Sequence, residues 1–227
     1  MKRIISYFTK AELILWCSSV VMIFLSFLIS QDSGYLGFIA SLIGVTALIL
    51  CAKGNPIGQV FMIIFCLMYT YISYTFSYYG EMITYACMSL PMAIFSLASW
   101  LRHPFKGNKA EVRVNSIKGK EYIFMLVLNV AVTVAFYFIL KAFNTANLIP
   151  STFSVTTSFG AAYLTFRRSP YYALWYSAND IVLIVLWTLA AIKDISYISV
   201  IICFVTFLAN DIYGFISWRN MEKRQRD

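Results

Sequence analysis

Two Asn-Asp pairs lie inside apolar stretches of this chain: Asn179 and Asp180 within Tyr171 to Trp187 (YYALWYSANDIVLIVLW), and Asn210 and Asp211 within Leu208 to Trp218 (LANDIYGFISW). Hydrocarbon rejects such side chains unless they face a cavity or a partner, and a carboxylate at bilayer depth costs roughly 2.5–3.5 kcal/mol on insertion scales. On a helix, Trp175, Asn179 and Leu183 recur every four residues, with Tyr172 and Tyr176 beside them and Trp187 two turns beyond Asn179. One face then carries rings and an amide together. Tyr213 stands one turn past Asn210 in the same way. Rings that hold a flat solute, with amides reading its polar edge, make recognition chemistry. The expectation is two walls facing one small, flat, polar-edged solute. Asp180 and Asp211 either face that cavity or belong to a hydrogen-bonded network between helices.

The first half of the chain offers less. KGNPIGQ at 53–59 puts Gln59 near an inner mouth, and YTYISYTFSYYGE at 69–81 is a tyrosine ladder whose Glu81 reads as an outer-loop residue. The candidate solute contacts are therefore Trp175, Tyr176, Asn179, Asp180, Trp187, Asn210, Tyr213 and Gln59.

Bond-breaking chemistry is poorly served. His103 is the only histidine and lies in a basic loop, so no histidine-based triad or multi-histidine metal site can be assembled. The five cysteines are scattered singly through apolar runs, without the paired spacing of a zinc site or disulfide frame. No HExxH motif or nucleophile-base arrangement is visible. The sequence is expected to encode no enzyme, to need no cofactor and to hold no metal.

The elements that must position these residues are membrane helices. With 60% hydrophobic and 12% charged residues, the chain departs from the roughly 25% charged composition of a soluble domain. Apolar runs of spanning length fall at 13–30, 35–52, 57–77, 82–101, 121–141, 149–166, 171–192 and 195–218. The first follows a basic N-terminus, yet no small-residue cleavage pattern follows Ser30, and it is read as a span. Of the 18 Lys and Arg, only Lys141 and Lys193 fall on one side of this eight-span path. The rest, from Lys2 and Arg3 to the C-terminal tail, fall on the other. By the positive-inside rule both termini are expected in the cytoplasm. That distribution explains the net charge of +8 without nucleic acid, since the basic residues punctuate spans rather than stripe a soluble face.

The chain also repeats itself. LPMAIFSLASW (90–100) aligns with LANDIYGFISW (208–218), sharing Leu, Ile, Ser and Trp at matching places, and Lys53 and Pro56 correspond to Arg167 and Pro170. Two three-span repeats, 35–101 and 149–218, are expected on either side of a unit at 102–148. That unit is a basic loop followed by one linking span. Residues 1–34 are an accessory span and 219–227 a basic cytoplasmic tail. A single linking helix makes the repeats parallel, as in SWEET-type transporters. At 1.5 Å per residue, Asn179 and Asn210 would both lie ~12 Å from the cytoplasmic ends of their helices.

KGN at 53–55, YISY at 71–74, YGE at 79–81, Trp175 with Asn179 and Trp187, and NDIYGFISW at 210–218 together resemble the PnuC family of bacterial vitamin transporters. The resemblance covers nearly the whole chain. It implies an all-α, SWEET-like fold of 3+1+3 helices with an extra N-terminal helix, in the inner membrane as a homotrimer. It also implies facilitated diffusion of nicotinamide riboside, drawn inward by a cytoplasmic kinase that phosphorylates it. A related solute, such as a deoxyribonucleoside or thiamine, is the alternative, as is a proton-coupled symporter using Asp180 and Asp211. Carried onto this sequence, the solute face would use Trp175, Asn179, Trp187, Asn210 and Tyr213. One departure is visible: Met92 and Ala93 follow Pro91 where the family commonly has a polar residue, often glutamine.

Overall fold

The computed structural model describes residues 7–29, 35–75, 78–145, 147–192 and 195–227; Lys2, Arg3, Ser30 and Lys193, used above, lie outside the described residues. Within it the long helices are α1 (Lys10–Ile29), α2 (Tyr35–Ala52), α3 (Ile57–Thr75), α4 (Tyr79–Arg102), α5 (Gly119–Ala142), α6 (Leu148–Phe166), α7 (Tyr172–Ala191) and α8 (Ile198–Arg226). Seven of these are long and apolar enough to cross a membrane. The exception, α6, occupies the expected span 149–166 but is rich in Ser and Thr (LIPSTFSVTTSFGAAYLTF). Many of those hydroxyls donate back to carbonyls one turn earlier in their own helix, Thr152 to Leu148 and Thr156 to Thr152 among them. This satisfies the polar groups without water.

The start of α1 is fixed by a reciprocal capping box: the Thr9 N–H donates to Glu12 Oε2 (2.7 Å) and the Glu12 N–H to Thr9 Oγ1 (3.2 Å). Pro56 and Pro170 sit in the turns before α3 and α7, where a missing N–H costs nothing. Pro91 lies within α4 and does not break it. Instead the helix widens into a π-helical turn, Thr84–Ser89, immediately before the proline. A proline ring crowds the carbonyl four residues back, and a wider turn relieves that crowding.

In the packing, α7 lies between α6 and α8, and α3 between α2 and α4, while α8 also packs on α2 and α4 on α6. The two Ser-Trp pairs make matching bonds. Trp100 Nε1 donates to Thr165 O (2.9 Å) and Ser99 Oγ to Phe166 O (2.8 Å), while Trp218 Nε1 donates to Cys51 O (2.8 Å) and Ser217 Oγ to Ala52 O (2.7 Å). The two indoles, both fully buried, meet with ring centroids 5.3 Å apart. The chain turns sharply just past each accepting pair. Gly54 (φ +66°) follows the first and Arg168 (φ +58°) the second, the latter a left-handed conformation that is costly for a side chain with a Cβ.

The long polar segment is ordered by these turns. It folds into a short antiparallel hairpin of β1 (Pro104–Phe105) and β2 (Asn108–Val112). Val112 N–H donates to Gly54 O (2.9 Å) and Asn115 N–H to Arg168 O (3.0 Å), so the segment straps both turns. Gln225 near the end of α8 ties to its other side through Val112 O and the Val114 N–H. Arg168 is buried there, which lowers its pKa from the usual arginine value, and the charges of Arg167 and Arg113 add to that effect.

Outward faces are apolar. On α5, Ile123, Phe124, Val127, Val130, Val134 and Phe138 are all exposed, the surface that a hydrocarbon solvent requires.

Candidate functional site

A cavity of about 200 Å³ runs between α2, α3, α4, α6, α7 and α8. That is just below the roughly 300–1,000 Å³ typical of sites for drug-sized ligands, so the fitting solute is small. Of the expected residues, Gln59, Tyr176, Asn179, Asp180 and Trp187 line it, joined by Tyr172, Leu183 and Asp211. Tyr172, Tyr176, Asn179, Leu183 and Trp187 thus share one cavity-facing surface of α7.

Asn179 is held from α6. Its Oδ1 accepts from Ser154 Oγ (3.1 Å) and Thr157 Oγ1 (2.9 Å), and its Nδ2 has no hydrogen-bond partner among the described residues. An amide so anchored presents donors to the cavity. Gln59, nearly fully buried, donates through Nε2 to Cys51 Sγ (3.3 Å). Trp187 packs against Tyr197 (centroids 5.2 Å), and Tyr172 stands edge-on to Tyr176 and to Trp218. Asp180 on α7 and Asp211 on α8 both line the cavity, and the buried Asp180 Oδ2 has no hydrogen-bond partner among the described residues.

Three of the expected contacts lie away from this cavity. Asn210 turns toward α1, donating to Ser19 Oγ (2.9 Å) and Thr206 O (2.8 Å). Tyr213 Oη donates to Glu12 Oε1 (3.1 Å), and Glu12 is also paired with Lys53 (3.0 Å). Neighbouring residues on an α-helix diverge by about 100°. With Asp211 aimed into the bundle, Asn210 and Tyr213 fall on faces that the N-terminal helix covers. Trp175 lies against Gly160, where an added Cβ would come within 2.4 Å of the indole; it packs between α6 and α7 and is not among the cavity-lining residues. A periodicity argument finds the face of one helix but not which neighbour covers it.

Other lining residues were missed. Met92 and Ala93 do face the cavity, so the departure noted there alters its wall. Glu81, read as an outer-loop residue, begins α4 and lines the cavity with Tyr69 and Tyr85. Its place after a tyrosine ladder was the signal available. The Ser and Thr content of α6 was another, since a span needs hydroxyls only where amides or solute use them. Lys, Arg and His are absent from the cavity lining among the described residues.

Comparison with known proteins gives one answer. The family model described as nicotinamide mononucleotide transporter matches residues 34–220. A relative from Neisseria mucosa, named nicotinamide riboside transporter PnuC, is 28% identical over 203 residues, covering 87% of this chain and 76% of that protein. One of the same name from Haemophilus influenzae is 20% identical over 215 residues, covering 93% and 91%. A solved structure described as the vitamin B3 transporter PnuC superposes with a TM-score of 0.81 at 24% identity, over 96% of this chain and 94% of that one, a likeness of fold. These relatives are transporters and not enzymes, and the chain, a membrane protein built of helices with one short hairpin, belongs to the nicotinamide mononucleotide transporter family.

Proposed function

We propose that this chain carries nicotinamide riboside across a bacterial inner membrane by facilitated diffusion, with a cytoplasmic kinase trapping the solute as its phosphate. The observation that carries the reading is the cavity itself. It is lined by Tyr172, Tyr176 and Trp187 with the Asn179 amide among them, and it contains no basic side chain among the described residues. Such a lining suits an uncomplexed nucleoside better than a phosphorylated one, since a buried phosphate is normally met by Arg or Lys. The names of the relatives from Neisseria mucosa and Haemophilus influenzae agree with the riboside.

In this reading the architecture is eight spans: an accessory α1 (within 1–34), repeats at 35–101 and 149–218, the segment 102–148 between them, and a tail at 219–227. The matching Ser-Trp bonds support it, as do the reciprocal contacts of α2 with α8 and α4 with α6. Lys53, Arg113, Arg167 and Arg168 gather at one end of the bundle around the hairpin, which supports cytoplasmic termini. The homotrimer rests on the family resemblance. Trp175, Asn210 and Tyr213 remain solute candidates only for a state in which α1 or α6 has shifted.

Calorimetry on the purified protein tests this, with thiamine and deoxyadenosine as comparators. Nicotinamide riboside should bind in the micromolar range and Asn179→Ala should abolish that binding. A silent riboside beside a binding comparator would reassign the solute. The carboxyl groups of Asp180 and Asp211 in the cavity lining favour a second reading, proton symport. Uptake into kinase-free vesicles that collapses with an uncoupler would establish it.

A further inference from the structure

Glu81 is an exception among the glutamates of this chain. Glu12, Glu111, Glu121 and Glu222 each pair with a Lys or Arg. The Glu81 carboxylate has no hydrogen-bond or ion-pair partner among the described residues, although it lines the cavity. Ionisable side chains at membrane depth that face a cavity mark substrate or ion pathways, and an unpaired carboxylate there has its charge free to meet a cation.

Its surroundings are suited to a visitor. Tyr85, four residues along α4, and Tyr69 on α3 line the cavity with it. Their ring centroids are 5.1 Å apart, and Phe65 stacks on Tyr69 at 4.6 Å. Ring faces attract cations, most strongly where water is excluded.

The fold also holds Glu81 in place. A Cβ on Gly80 would lie 2.4 Å from Thr145 Oγ1 and 2.8 Å from Leu140, so the start of α4 is pressed against the turn between α5 and α6. The π-helical turn that follows keeps Tyr85 and Ser89 on the same cavity-facing side as Glu81.

We propose that Glu81, Tyr69 and Tyr85 form a cation-accepting subsite that selects a singly charged aromatic ring over its neutral analogue. The inference rests on the transport reading above and gives it a basis for charge selection. Oxidised nicotinamide riboside carries a pyridinium cation; its dihydro form is neutral, with the same ribose and carboxamide. The two forms therefore isolate ring charge.

Calorimetry on wild-type, Glu81→Gln and Tyr69→Leu proteins reads the result. Wild type should favour the pyridinium form by about tenfold, and Glu81→Gln should remove that preference by weakening the cation alone. Tyr69→Leu should lower the preference in the same direction, which keeps the test open if Glu81→Gln fails to fold. Equal weakening of both forms, or an unchanged preference in both variants, overturns the subsite. Binding of neither form to wild type would instead overturn the riboside reading, with Glu81 uninvolved in the failure.

Discussion

At the scale of single residues, Gly160 and Trp175 show how a small side chain sets a large one. The indole, half-buried, occupies the space that a Cβ at position 160 would need, and a rigid ring packed against α6 yields less readily than a flexible chain end. Gly160→Ala should therefore destabilise the protein by about 1–3 kcal/mol, the usual cost of overpacking. Gly37→Ala, where the added carbon meets open space, should be neutral or stabilising because alanine favours a helix. Apparent melting temperatures in one detergent check both, and a Gly160→Ala protein as stable as wild type would mean that Trp175 is free to move. The same pair marks a limit of sequence reading. Trp175 shares a helical period with Asn179, so period alone assigned both to the solute. The fact that separates them is the absence of a Cβ on another helix, which no pattern within α7 records.

At the scale of elements, the Ser-Trp ends of α4 and α8 were legible in the sequence as an alignment, and their hydrogen bonds give that alignment a physical content. Each indole N–H meets the carbonyl two residues before a basic turn residue, Thr165 ahead of Arg167 and Cys51 ahead of Lys53. Trp218→Phe removes one of two donors to the Cys51 carbonyl, which keeps the Gly54 N–H (2.8 Å), at a cost of about 0.5–1.5 kcal/mol. If the two bonds are equivalent, Trp100→Phe should cost nearly the same, and melting temperatures of the two variants will tell. A loss confined to one of them would argue that only one of the contacts is structural. The hairpin at 104–112 was not legible: its strands are short and polar, and its backbone partners are the Gly54 and Arg168 turns, distant in sequence. The docking of α1 was equally hidden. It depends on Glu12 reaching Lys53 and Tyr213, residues that a local reading assigns to three separate tasks.

At the scale of the whole molecule, the distribution of charge decides what can pass. Basic side chains collect around the hairpin and turns at one end of the bundle, whereas the cavity carries Glu81, Asp180 and Asp211 and no positive partner among the described residues. A phosphate entering that cavity would lose its hydration without gaining a cation, a penalty of several kcal/mol per buried ion after relaxation. The carboxylates would add repulsion. Nicotinamide mononucleotide should therefore cross reconstituted liposomes at least about a hundredfold more slowly than the riboside, each 1.4 kcal/mol being a factor of ten. The measurement is efflux of each labelled solute from preloaded vesicles, with empty vesicles as the baseline. Retention of the mononucleotide beside rapid loss of the riboside would support the proposed trapping, in which the phosphorylated product no longer fits the charge of the path that admits its precursor. Comparable efflux of the two would place a basic group on the route, and Lys53 and Arg167, at the end where the cavity helices turn, would be the first residues to replace.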